Sequence, residues 1–380
     1  MLRSVISRRQ FGRVSATLGA AILADRLAAS VAAASPPASV PADAIQINSN
    51  ENPYGPPARA LQAMTESQAV ASRYPEAKVV ELIEQLAKLH RVGTENIILG
   101  CGSSEVLRFA DMAFLTPEKS VVVAEPTYEA VLGYARVTRA RPVRVPLTPD
   151  FCHDLPAMAA ACDTNTGLVY VCNPNNPTGT IVTRDELAAF IPKVPRSTAI
   201  VVDEAYFHLV EDARYASALE WLGKTPNLIV VYTFSKIYGM AGMRLGYAVA
   251  SAENIRAMRD HQLRFNTNAA VVAAALACLV DAEHVPVFRR RLNDTRRWLC
   301  RELEKDGRRY IPSETNFVMI HVGSDVRPVI AEFAKRNILV GRKFPSLGEW
   351  LRVSIGTPKE METFVQHLRE ILPARAGKPA

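Results

Sequence analysis

From Asn96 onward the chain alternates short apolar runs with longer stretches whose apolar residues recur every three to four positions. The runs Asn96–Leu99, Ser120–Ala124, Pro142–Val145, Leu168–Cys172, Ala199–Asp203, Leu228–Thr233 and Leu245–Ala250 are rich in Val, Ile and Leu. Such runs predict strands buried on both faces. Helical spacing separates most of them, for example at Ser104–Phe114, Arg184–Ile191 and Ala252–His261. That alternation predicts an α/β fold with a mainly parallel seven-stranded sheet and helices on both faces.

Beyond Ala269 the pattern changes. Long helices are predicted at Ala269–Val280 and Val287–Lys305, then the runs "NFVMIHV", "ILVG" and "LRVSIG", with helices at Val326–Arg336 and Lys359–Leu372. This reads as a smaller α+β domain. The expected division is a leader at 1–34, an N-terminal arm and part of the small domain at 35–67, a large domain at 68–262 and a small C-terminal domain at 263–380. No internal repeat is evident.

Composition excludes a disordered chain, with 48% apolar and 22% charged residues over a length that can bury a sizeable core. The net charge of +7 invites a nucleic-acid reading, but five arginines and one aspartate lie in the first 34 residues and leave +3 for the remainder. No later basic run carries interleaved aromatics, so no nucleic-acid partner is expected. "SRRQFGR", Ser7–Arg13, precedes a weakly apolar stretch, Val14–Ala24, and then small residues and prolines. It resembles a twin-arginine export signal, cleaved near Ala34, which implies a periplasmic protein, or a cytoplasmic one if the signal is not functional. The stretch is too short for a spanning helix, and no stable membrane span is expected after processing. Six cysteines, Cys101, Cys152, Cys162, Cys172, Cys278 and Cys300, form no C-x-x-C pair and sit beside no histidine at metal spacing. They read as small core residues, a disulfide being an open alternative, and no metal site is expected.

In open α/β sheets ligands bind beyond the carboxyl ends of the strands. After the first strand comes "GCGSSE", Gly100–Glu105, a small-residue turn that opens a helix and aims backbone N–H groups at an anion such as phosphate. After the second comes Tyr128, a core aromatic or a stacking platform. After the fourth, "CNPNNPTG" forms a rigid turn that holds Asn176 toward the strand ends. Asp203 ends the fifth run, where a carboxylate needs a cation, and Lys236 follows the sixth, where partial desolvation frees an amine to attack a carbonyl. Pyridoxal 5'-phosphate brings together an aldehyde, a phosphate, an aromatic ring and a protonated ring nitrogen, and it fits all four features.

These motifs, with "INSNENPYGP", "SRYPEA", "VVDEAY", "TFSKIYGMAGMRLGY", "TNFVMI" and "LRVSIGT", resemble in order the fold type I pyridoxal-phosphate enzymes. The class I/II aminotransferases, and within them the histidinol-phosphate aminotransferase branch, are the nearest match. The resemblance implies that Lys236 forms the Schiff base and moves the substrate proton. It implies that Asp203 pairs with the ring nitrogen, Asn176 and Tyr206 bond the phenolic oxygen, and Tyr128 stacks on the ring. Gly102, Ser103, Ser104, Ser235 and Arg244, with Thr233 as a weaker candidate, would hold the phosphate. Tyr74 would reach the phosphate of a second subunit, which implies a homodimer with shared active sites. Arg352 would grip the substrate's acidic group, with Asn52, Asn316 and Arg342 near the same end. The implied partners are an amino donor and a 2-oxo acid acceptor.

Two departures bear on the substrate. The branch carries an arm with a Tyr and a Pro-Gly before "NENP", where this chain has "SPPASVPADA". It also carries an arginine in "I-x-V-R", where "ILVGRKF" places Gly341 at that position and Arg342 one later. Two rivals share the fold: a decarboxylase or lyase using the same lysine, and a cofactor-binding regulator, for which no fused DNA-binding domain is visible.

Overall fold

The computed structural model describes residues 41 and 43–373, so the stretch read as an export signal lies outside the described residues. The first strand, β1 (Ile45–Ile47), is followed by helices α1 (Ala58–Ser67) and α2 (Glu76–His90). The central sheet contains β2 (Ile97–Gly100), β3 (Ser120–Glu125), β4 (Arg141–Pro146), β5 (Thr166–Cys172), β6 (Ala199–Asp203), β7 (Leu228–Thr233) and β8 (Gly246–Ala250). Their spatial order is β2-β8-β7-β6-β5-β3-β4, seven strands as the apolar runs predict. Boundaries shift by one or two residues from the predicted runs, and α1 and α2 precede the alternation that begins at Asn96.

Every neighbouring pair in that sheet is parallel except those involving β8, which runs antiparallel to both β2 and β7. Residues 234–245 join β7 to β8 through one turn of 3₁₀ helix at Ala241–Met243. With no crossover helix to carry it over the sheet, the chain returns antiparallel. That return turn holds Lys236 and Arg244 at the carboxyl ends of β5, β6 and β7.

The central strands are buried on both faces. Val121, Val122 and Val123 of β3, and Leu228 to Val231 of β7, are fully buried. One face packs against α3 (Ser103–Phe114), α4 (Ala130–Thr138) and α7 (Ala252–Arg259), with Phe109, Val131 and Met258 in the seam. Helices α5 (Leu155–Ala160) and α6 (Arg184–Phe190) cover the other face. Each such aliphatic side chain contributes about 1.5–3 kcal/mol on burial, which makes the sheet a rigid platform for whatever its edge carries.

The C-terminal part holds α8 (Ala269–Leu279), α9 (His284–Lys305), β9 (Tyr310–Ile311), β10 (Phe317–His321), α10 (Val326–Ala334), β11 (Ile338–Val340), β12 (Trp350–Ser354) and α11 (Pro358–Ile371). Strands β12, β10 and β9 form an antiparallel sheet. The remaining strand, β11, pairs in parallel with β1, with Ile47 opposite Val340. This pair carries residues 48–51 alongside Gly341 and Arg342, although nearly 300 positions separate the two segments in the chain. Residues 45–373 form one compact unit, whose largest buried cluster runs from the central sheet into β10 and β12. All six cysteines are free thiols; Cys172 and Cys278 are buried, whereas Cys101 is exposed and departs from the core reading. Among the described residues, no single helix is long and apolar enough to cross a membrane.

Candidate functional site

A cavity of about 740 Å³ opens at the carboxyl ends of β5, β6 and β7, between the central sheet and the β11–β12 segment. Its inner wall is made by the strand-end residues. At the start of α3, Ser103 and Ser104 line the cavity, and Ser104 Oγ shares a 3.1 Å hydrogen bond with Tyr128 Oη. Arg244 Nη1 donates to Ser235 Oγ at 3.3 Å and to the Ala241 carbonyl at 3.0 Å. Arg244 itself holds φ at +65°, a left-handed conformation costly for a residue with a Cβ. Gly102 has φ +79°, and a Cβ there would fall 2.1 Å from Arg244 Nη2. Gly102 does not line the cavity; it leaves room for the guanidinium that does. Helix N-terminal amides, three serines and an arginine thus line one part of the cavity, which suits a phosphate.

Asparagines in the "CNPNNPTG" turn divide the work. Asn173 bonds both backbone groups of Val182, and Asn175 bonds Pro126 O and Thr178, so these two shape the turn. Asn176 alone among them faces the cavity, and its Oδ1 accepts from Arg352 Nη1 at 2.9 Å. Thr233 also lines the cavity, but its hydroxyl is engaged by the Ser235 amide and the Leu245 carbonyl.

Asp203 is 2% exposed and accepts from Tyr170 Oη at 2.9 Å and from the Ala205 amide at 3.1 Å. Burial outweighs these donors and pushes its carboxyl up to about 6. A cation placed beside it would be strongly attracted, and a protonated ring nitrogen meets that demand. Burial likewise lowers Lys236 to about 8, with the Arg352 guanidinium acting in the same direction and Glu51 and Asp203 opposing it. Lys236 Nζ donates to the Asn50 carbonyl at 3.0 Å and lies 5.5 Å from the centre of the Tyr206 ring. An amine lowered this far is a nucleophile and a base near neutral pH. Tyr206 is buried, with its hydroxyl accepting from Asn50 Nδ2 at 3.1 Å.

The outer wall carries Arg342, Arg352, Phe344, Glu51 and Glu129. Arg352 on β12 donates to Asn176 and, at 2.9 Å, to the Asn48 carbonyl, while its Nε has no hydrogen-bond partner among the described residues. Arg342 donates from Nη2 to Glu129 Oε2 at 2.6 Å. Gly341 explains the shift of that arginine by one residue: its amide bonds Arg352 O at 2.9 Å, and a Cβ would meet the same oxygen at 2.6 Å.

Besides Gly102, three of the residues expected at the site lie off this cavity's lining. Asn52 sits in a turn, where its Nδ2 donates to Ile237 O at 3.0 Å and braces the loop after Lys236. Asn316 Nδ2 donates to the carbonyls of Asn50 and Glu51 and so supports the wall from behind. Tyr74 is 73% exposed and stacks on Phe265 with ring centres 4.2 Å apart. Sequence reasoning missed Asn50, Tyr170, Glu51, Glu129 and Phe344. Asn50 carried the best signal, since asparagine tolerates positive φ and Asn50 adopts +55°. A lone tyrosine in the aliphatic run of β5 was the signal for Tyr170. Among the described residues no group of three or more His, Cys, Asp or Glu is placed to hold a metal ion.

The donor set fits pyridoxal phosphate: an anion cradle, an aromatic neighbour, a buried carboxylate and a deprotonatable lysine on one cavity wall. The profile of the family aminotransferase class I and II matches residues 42–368. Histidinol-phosphate aminotransferase of Moorella thermoacetica is 40% identical over 333 residues, which are 87% of this chain and 86% of that protein. That of Symbiobacterium thermophilum is 39% identical over 87% of this chain and 91% of its own length. The structure of histidinol-phosphate aminotransferase from Sinorhizobium meliloti, in complex with pyridoxal-5'-phosphate, superposes with a TM-score of 0.82 at 27% identity, covering 88% of this chain and 92% of that one. Fold, site and sequence agree, and the chain belongs to the pyridoxal-phosphate-dependent class I and II aminotransferases.

Proposed function

We propose that this aminotransferase takes its amino group from a donor that carries an acidic group, either histidinol phosphate or an α-amino acid, and passes it to a 2-oxo acid. The observation that carries the reading is Arg352, whose half-buried guanidinium lines the cavity and is fixed there by Asn176 and the Asn48 carbonyl. A guanidinium held by Asn176 and Asn48 on one side orients an incoming carboxylate or phosphate on the other. The names of the relatives support the phosphate-bearing donor.

When bound, pyridoxal phosphate supplies an electrophilic carbonyl carbon and a protonated ring that takes up the electron pair left on the donor's carbon. Ser103, Ser104, Ser235 and Arg244 would hold its phosphate, with Thr233 as a weaker contributor; Gly102 leaves space for Arg244. Tyr128 would cover the ring, and Asp203 would hold the ring nitrogen protonated. Asn176 and Tyr206 would bond its phenolic oxygen. Lys236 Nζ takes the proton from the donor's carbon, and a lysine lowered to about 8 can both accept and return it.

Tyr74 belongs to the proposal through a second copy. With Val70, Leu263 and Phe265 it leaves large apolar side chains exposed, at 73%, 53%, 70% and 38%. We read these as a homodimer face from which Tyr74 reaches the partner's phosphate site. Export by a twin-arginine route remains part of the reading and is tested by fractionating cells that express the full chain.

The visible absorption of the purified protein tests the donor. The expected result is that one donor, histidinol phosphate or an amino acid, shifts the cofactor band to that of its amine form, and a 2-oxo acid restores it. A cofactor band that no donor shifts would overturn the donor reading and favour the lyase.

A further inference from the structure

The donor-facing wall holds more charge than gripping one acid requires. Arg342 and Arg352 flank the same ring, with guanidinium carbons 4.4 Å and 5.1 Å from the centre of Phe344. Alone, two guanidiniums would favour a dianion. Yet Glu129, at the start of α4, pairs with Arg342 at 2.6 Å across 213 positions of sequence. The loop after Arg342 is fastened at two further points. Lys343 Nζ bonds Asp325 at 2.7 Å, and Ser346 Oγ donates to Glu125 at 2.9 Å. These bonds limit the movement of the loop that presents Arg342 to Glu129, a pair whose side chains are about half exposed. The field of both residues reaches Arg352, Arg342 lowering its proton affinity and Glu129 raising it. With Glu51 acting on Lys236, one uncompensated guanidinium remains at the donor end, that of Arg352.

We propose that Glu129 is a specificity-determining residue: by neutralising Arg342 it tunes the cavity to donors bearing a single carboxylate and against donors bearing a dianionic phosphate. The inference rests on the aminotransferase reading and names a donor class for it. A phosphate that recruits Arg342 must first break the Glu129 pair, and it then faces the released carboxylate. A carboxylate on Arg352 needs neither step.

Two donors isolate the charge, because L-histidine and histidinol phosphate share a side chain and differ in the acidic group. The test measures single-turnover kcat/KM for both, by the cofactor band, in wild type, E129Q, R342Q and the double variant. Wild type is expected to prefer L-histidine. E129Q should raise the histidinol phosphate to L-histidine ratio about ten-fold, mainly through KM. In the R342Q background the same change should raise it less than about three-fold, since the two residues act as a pair. A purely structural Glu129 would slow both donors together, and that result overturns the proposal. So does a wild type that prefers histidinol phosphate ten-fold or more, an outcome that leaves the aminotransferase reading intact. If no donor at all converts the wild-type cofactor, the donor reading itself fails, before any variant is made.

Discussion

The two walls of the cavity are built on different principles. The inner wall draws Ser103, Asn176, Asp203, Lys236 and Arg244 from the ends of β2, β5, β6 and β7 and the turn after β7, each anchored to a buried strand or a helix start. The outer wall draws residues 48–51, Glu129 and 341–352 from three distant segments, held together by β1–β11 pairing and by half-exposed ion pairs such as Glu129–Arg342. Chemistry that must not vary sits on the rigid sheet, and recognition sits where a few charges can be exchanged without disturbing the core. Variants on the inner wall should therefore stop the reaction, whereas variants on the outer wall should change which donor is used.

Lys236→Ala gives the largest contrast. Loss of the amine that moves the proton is expected to lower turnover by about 10⁴-fold, measured with saturating donor. Thermal stability should not fall, because the change removes a buried cation. In the unmodified apoprotein, cofactor loading should speed up about ten-fold per pH unit and level off above about 8, where Lys236 becomes the free amine. A loading rate flat between pH 6 and 9 would show that the burial of Lys236 does not control its reactivity.

Asp203→Asn separates function from stability on the same wall. Without the carboxylate, turnover should fall by about 10²- to 10³-fold, as for loss of a preorganised electrostatic partner. The apoprotein should gain stability at pH 7, on the order of 3 kcal/mol. The sign follows from a folded value near 6 against 3.8 unfolded: ionising Asp203 in the folded protein costs stability, which is lost as pH rises between those values. Denaturant melts of the apoprotein at pH 4 and pH 7 check it, since the gain should vanish at the lower pH.

How much of this was legible before the structure follows the same division. Lys236, Asp203 and Asn176 each end or follow an apolar run, so strand periodicity and turn chemistry place them at one sheet edge. The outer wall depends on contacts no local pattern encodes. Asn50 and Asn52 share the stretch "NSNENP", yet Asn50 lines the cavity and bonds Tyr206 and Ser354, while Asn52 braces the loop after Lys236. Gly341 reads as the loss of an arginine until β12 brings the Arg352 carbonyl against it. The Glu129–Arg342 pair has no sequence signal, because pairing across 213 positions is decided by topology alone.

Arg352→Gln probes the outer wall. The expected loss is about 10²-fold in kcat/KM for acidic donors, carried mainly by KM, as for one charge-assisted contact. Amines without an acidic group should lose much less. An equal loss for both kinds of donor would place Arg352 in the chemistry and erase the distinction between the walls.

Tyr170→Phe is the smallest and most discriminating change. Tyr170 is fully buried, and its hydroxyl serves Asp203 Oδ2 at 2.9 Å. Removing that hydroxyl leaves the ring packing in β5 intact and the carboxylate with the Ala205 amide as its remaining backbone donor. A carboxylate with one fewer donor is harder to ionise, and its hold on a protonated ring weakens. Cofactor affinity should fall about three- to ten-fold, and the pH at which the cofactor's visible band titrates should move, while KM for the donor stays within about two-fold. A merely structural tyrosine would lower the melting temperature without moving that titration. A shift in donor KM instead would mean that strain at the sheet edge reaches the outer wall, and that the two walls are coupled through the sheet rather than independent.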